Sequence, residues 1–347
     1  MIFRDFVSSE DGVPFLTRIE QMHDGLFSRI PNLPNPCGIG TLFVVVRADL
    51  SATAYINEPL RAFARARDNV QAGAMVMLDD ILDVDRLMLP GPAHPHDAVV
   101  SLLSHGWRRS LYFDFSPLHL PPTERTYDLE RLLGLQQAQL LFQHRTRLSL
   151  EGWQRLLSEG WFPFSYLRAA SVQRIIAHAE SGWPVQELLA DGSLDTDLRD
   201  AATKGSALFN HSTFQPHLEA IERGFERFAS GDYISATSIL YPRIEGVLRS
   251  LRLGAGANSF RVQELIGAAT PSDDAIHLMP TRFREFLDAF CFRHFAPGAT
   301  ASYVSRHTVA HGVADPATMD RKAAAIAVLT LLQIALFAPR TRERAGA

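Results

Sequence analysis

Lysine is nearly missing from this chain of 347 residues. It occurs only at Lys204 and Lys322, so the positive charge is almost all arginine. Arginine suits phosphate because its planar fork is bidentate, but the bias runs along the whole chain and marks no site. Cysteine is as scarce. Cys37 and Cys291 lie far apart with no CxxC pair, which excludes a cysteine zinc site. Two cysteines in a chain of this size fit a reducing compartment, and a cytoplasmic location is expected. Membrane-length apolar runs are lacking. The longest, Ala323 to Phe337, is about 15 residues against the ~20 a span needs, so it reads as a buried helix and no membrane partner is expected. The opening Met1-Ile2-Phe3-Arg4-Asp5 lacks the uninterrupted apolar run of a signal peptide. A basic excess is lacking too. The net charge of -4 argues against a protein coated in nucleic acid, while leaving room for a local basic groove. GxSxG, P-loop and kinase signatures are absent.

What is present changes along the chain. Phe15 to Phe27 carries a short helical pattern, and Pro31 to Pro36 a proline-rich turn. Cys37-Gly38-Ile39-Gly40 then precedes Thr41-Leu42-Phe43-Val44-Val45-Val46, the strongest strand signal in the sequence. A dinucleotide loop follows a strand and opens a helix, so this GxG, which comes before one, reads as a turn. The pattern predicts a helix over 58–70 and short strands at 74–77 and 110–115. Residues 1–125 are therefore expected to be a small mixed α/β region. From Tyr127 leucines recur at helical spacing, giving a helical middle segment over 126–205. Residues 206–347 read as a helical bundle. Phe214 to Phe228 forms one helix. Asp232 then caps a long apolar-striped helix in which Pro242 is expected to produce a kink. Helices are predicted over 281–294 and 300–311, with Gly312 as the stop. Asp315-Pro316 opens the last helix. The fold class expected is mainly α.

The chemistry concentrates in Arg306-His307-Thr308-Val309-Ala310-His311-Gly312. A guanidinium holds a phosphate, and an imidazole moves a proton near neutral pH. Arg306 and His311 together are a minimal kit for cutting RNA without a metal, because the ribose 2′-OH serves as the nucleophile. Five residues at about 100° each place the two side chains roughly 140° apart on a straight helix. Convergence therefore requires a distorted helix or a symmetric dimer that pools two such segments. His307 and His311 share an i, i+4 spacing that can bind a metal, but no HExxH pattern joins them. Glu245 borders the apolar stripe of its helix and needs a cationic partner. Arg249 is the local one at i+4, and Arg306 is the functional one, its guanidinium oriented by the carboxylate. Arg243 and Arg249 are candidates to line an RNA groove. His94-Pro95-His96-Asp97 has the look of a hydrolase metal loop, yet no strand precedes it and no matching ligand set accompanies it. No metal and no cofactor are expected.

The segment Arg306-His307-x-x-x-His311-Gly312 resembles the RNase signature of the HEPN superfamily. The upstream helix, Asp232-Tyr233-x-x-Ala236-x-x-x-Leu240-x-Pro242-x-Ile244-Glu245-Gly246-x-Leu248-Arg249, is similar to the companion helix of several bacterial HEPN-type families. The resemblance covers roughly residues 210 to 340. It implies a HEPN-like helical bundle that dimerises and places the motif at the dimer cleft. It also implies a metal-independent endoribonuclease in a bacterial toxin or phage-defence setting, leaving 2′,3′-cyclic phosphate ends. Carried over, Arg306 and His311 are the catalytic pair, with His307 in the polar position and Glu245 in support. The partners implied are an RNA substrate, a second copy of the chain and an antitoxin or regulatory protein. The rival expectation is a non-catalytic HEPN-like module for dimerisation or for binding a partner or nucleotide.

Overall fold

A computed structural model of the chain describes residues 15–19, 38–106, 108–145, 148–254, 256, 261–268, 276–295 and 301–338. The proline-rich turn at 31–36 and Cys37 lie outside them. Contacts divide the chain into two compact units, Met1–Arg65 with Asp83–Gln143, and Ala66–Leu82 with His144–Ala347.

The first unit is built on strands β1 (Phe15–Ile19), β2 (Thr41–Val46), β3 (Ala52–Ile56), β4 (Ala62–Ala66), β5 (Ile81–Leu87), β6 (Ala98–His105) and β7 (Arg108–Asp114). Four of them run β7-β6-β2-β3, all antiparallel, with β1 paired along the far side of β7, and β4 pairs with β5. The register places Leu42 opposite Leu102, and Leu102 opposite Leu111. This row gathers with Ile39 into one apolar cluster, the cross-strand packing that stabilises a sheet. Helix α1 (Leu129–Leu141) adds to the unit, Asp128 capping its first turn. Gln136 donates from Nε2 to the Ser110 carbonyl at 2.8 Å.

Among the described residues this corrects the mixed α/β reading of the N-terminal region. Its sheet is antiparallel, and the stretch predicted as helix over 58–70 contains β4. The Ala-Phe-Ala-Arg-Ala of β4 has good helix formers, so propensity pointed the wrong way. Pairing with β5 overrides it, as tertiary context does for short segments. Phe15–Ile19 is likewise strand, whereas 74–77, predicted as strand, is irregular.

The second unit is helical: α2 (Leu150–Ser158), α3 (Ala169–Ser181), α4 (Glu187–Ala190), α5 (Asp195–Lys204), α6 (Leu218–Ala229), α7 (Tyr233–Gly254), α8 (Val262–Ala268), α9 (Pro280–Phe286), α10 (Arg306–Ala310) and α11 (Arg321–Phe337). Its core runs from Leu148 to Ala338 across residue 205 without a break. At its centre lies α11, buried on every side from Ala323 to Leu336. A helix apolar all round needs partners all round, and the middle segment supplies some of them. An ideal Cβ on Gly205 would fall 2.7 Å from Leu332, and Gln333 Oε1 accepts from the Ser165 backbone N–H at 2.8 Å. The mainly α fold class with a separate C-terminal HEPN-like bundle is therefore corrected. A β-sheet unit precedes, and the C-terminal helices share their core with the middle segment. Among the described residues no helix is long and apolar enough to cross a membrane.

Candidate functional site

Helix α7 positions the first component. Asp232 caps it, its carboxylate accepting from Ser235 N at 3.1 Å. The helix continues through Pro242, which has no N–H to give to the preceding turn. Ala236, Leu240, Ile244, Val247 and Leu248 are buried, and Glu245 is buried among them. Its carboxylate takes both of the partners considered for it. Oε1 accepts from Arg249 Nε at 2.7 Å and pairs with Arg249 Nη2 at 2.6 Å. Oε2 pairs with Arg306 Nε. One carboxylate thus serves a guanidinium on its own helix and another on α10, which lies against α7.

Helix α10 is shorter than the 300–311 predicted. It spans Arg306–Ala310 because both ends are fixed. Ser305 Oγ accepts from Thr308 N at 3.2 Å, and Thr308 Oγ1 accepts from Ser305 N at 2.8 Å, a reciprocal capping box. At the other end Gly312 takes φ 68°, and Val313 N donates back to the Thr308 carbonyl at 3.0 Å. Such a positive φ suits glycine, which has no Cβ to clash. A backbone bridge between Ala301 and Ala314 closes the segment. Arg306 therefore opens the helix and His311 ends it.

His307 stands between them. Arg306 Nη1 donates to His307 Nδ1 at 3.1 Å, so the neutral ring carries its proton on Nε2. That nitrogen is buried with no hydrogen-bond partner among the described residues. Burial lowers the pKa of His307 below its ordinary 6.5, and the charges of Arg306, His294 and His311 push the same way against the opposing pull of Glu245.

The structure thus joins Glu245, Arg249, Arg306 and His307 through direct contacts. His311 is exposed at the helix end and packs its ring on Phe295, with centroids 5.5 Å apart. Arg243 is not part of this group. It lies two positions before Glu245, about 200° round the helix, and its charge acts on His217, whose pKa is lowered by burial and then by Arg243. Sequence reasoning missed the segment Arg293–Phe295. The His294 ring stacks on His307 with centroids 4.6 Å apart at 22°. Tyr303 Oη donates to the His294 carbonyl at 2.5 Å, Ser305 Oγ donates to the Arg293 carbonyl at 2.9 Å, and the Arg293 guanidinium lies 4.0 Å over the Tyr303 ring. The available signal was Phe292-Arg293-His294-Phe295, a basic pair flanked by aromatics.

The loop at His94 and His96 has a structural explanation. Asp97 accepts from His94 N at 2.8 Å, and Arg125 donates to the carbonyls of Asp97 at 2.8 Å and His94 at 2.6 Å. Among the described residues no three His, Cys, Asp or Glu side chains form a metal-holding group. Compared with known proteins, the chain matches no family model, no curated protein and no solved structure.

Proposed function

We propose that the chain is a metal-independent endoribonuclease of HEPN type, with Arg306 and His311 as its catalytic pair, in a toxin or phage-defence setting. The observation that supports it is the ion pair from buried Glu245 on α7 to Arg306 on α10. It clamps one edge of the guanidinium and fixes the plane in which its remaining N–H groups point. In the reaction the 2′-oxygen forms a bond to phosphorus and the bond from phosphorus to the 5′-oxygen breaks. One proton leaves the 2′-OH and another reaches the departing 5′-oxygen. Arg306 stabilises the charge on the phosphorane, and exposed His311 carries one of the protons. A homodimer is part of this reading.

The test is incubation of end-labelled single-stranded RNA with the purified chain in EDTA, beside Arg306→Ala and His311→Ala. Cleavage is expected to survive EDTA and leave 2′,3′-cyclic phosphate ends. Each variant is expected to be slower by about 100-fold or more. Equal cutting by all three proteins would remove the assigned site. The non-catalytic module is the rival, since Arg306 held on Glu245 also serves as a packing contact between α7 and α10. It predicts no cutting by any of the three.

A further inference from the structure

We infer that His294 is the second catalytic imidazole of this site, carrying the proton that His311 does not. The inference rests on the ribonuclease reading above and gives its site a proton carrier for each step. Transesterification needs a base at the 2′-OH and an acid at the 5′-oxygen. Two imidazoles, one neutral and one protonated, meet that need near neutral pH.

The geometry carries the inference. His307 and His311 lie four residues apart, hence on one face of the short helix. The chain segment His294–Phe295 runs along that face, His294 stacked on His307 and Phe295 packed on His311. His294 and His311 are both exposed, and His307, on which His294 stacks, is half-buried. The backbone at His294 is fixed by the hydroxyls of Tyr303 and Ser305 described above. A site carrying both imidazoles in one chain follows, beside the guanidinium of Arg306. The charged groups that act on His307, which the pair shares as a neighbour, are Arg306, His294, Glu245 and His311, and Tyr303, with the Arg293 guanidinium over its ring, lies beside His294. His307 itself is poorly placed to carry a proton, since Arg306 holds its Nδ1 and burial favours the neutral ring.

The experiment is the pH profile of kcat/KM for RNA cleavage in EDTA, for wild type, His294→Gln, His294→Phe and His311→Gln. Wild type is expected to give a bell. His294→Gln is expected to lose one limb and fall by about 10²–10⁴-fold, and His311→Gln the other limb. His294→Phe keeps a ring to stack on His307 but has no proton to move, so it is expected to be as impaired as His294→Gln. Because His294 is exposed, both variants are expected to melt with wild type. Three outcomes overturn the inference. If His294→Gln keeps the wild-type rate and both limbs, His294 carries no proton, while the ribonuclease reading stands. If His294→Phe is active, the role is stacking. If wild type cuts no RNA, the ribonuclease reading and this inference fall together.

Discussion

At the scale of single residues, the site is organised by what burial does to charge. Glu245 is a carboxylate in an apolar stripe, and such a group is stable there only with cations beside it. It has two, and both contacts are short. The sequence showed that Glu245 needed a partner but not that Arg249 and Arg306 would share it, because the second contact depends on how α10 lies against α7. His307 shows the opposite case. Its imidazole is half-buried next to Arg306, so the neutral form is favoured. His217 is shifted the same way, by burial and then by Arg243. In the unfolded chain both return towards 6.5. Between the lowered native values and 6.5 the unfolded chain therefore holds more protons than the native one, and stability rises with pH across that window. The stabilisation is complete above 6.5 and is lost as pH falls from there towards the native values. Melting curves from pH 5 to 7.5 are expected to show a decline for wild type. The decline is expected to be shallower in the double variant His217→Gln, His307→Gln. Parallel declines would show that these rings do not set the slope.

At the scale of elements, the first unit turns on one close approach. Gly134, in the middle of α1, faces the backbone of β5. A Cβ there would lie 2.6 Å from the Cα of Arg86 and 2.7 Å from its N. Backbone cannot step aside as a side-chain end can, so Gly134→Ala is expected to destabilise by about 1–3 kcal/mol, the usual cost of overpacking. A helix-propensity gain of at most about 1 kcal/mol offsets part of this. Denaturant midpoints of Gly134→Ala and wild type decide the balance, and a variant as stable as wild type would mean that α1 can move off the strand. Nothing in the sequence pointed to this contact, because Leu-Leu-Gly-Leu reads only as a helix with a weak spot. Local patterns were legible where one period dominated: the valine run of β2, the cap at Asp232, the stop at Gly312. The start signal Asp315-Pro316 opens only the short turn Pro316–Thr318, and Asp320 caps α11 instead. Local patterns misled at β4, where alanine and arginine favour helix and pairing decided otherwise. They also overran at α10, where the Ser305–Thr308 capping box starts the helix at Arg306, six residues after the predicted start at 300.

At the scale of the molecule, the final helix shows how far a run of apolar residues can be read. Ala323 to Leu336 signalled burial directly, but not what covers it. Covering α11 on all sides draws α5 and the Trp161–Leu167 segment into the same core, and so joins stretches that composition had suggested separating. Electrostatics belongs to this scale as well. The chain is acidic by four charges, which argues against a broad basic face as the means of holding the proposed RNA substrate. Arg249 and Arg306 share Glu245 at the proposed site, while the charge of Arg243 acts on His217. If about two phosphates are neutralised, the slope of log K against log salt for single-stranded RNA is about -1.4. A fourfold rise in salt then weakens binding by about sevenfold. Fluorescence anisotropy of a labelled RNA on His311→Ala, the variant expected to cut at least about 100-fold more slowly, measures this slope. A value near -1.4 fits capture by the Arg306 site. A slope several times steeper would mean that a basic groove elsewhere on the chain, formed by arginines outside this cluster, does most of the binding.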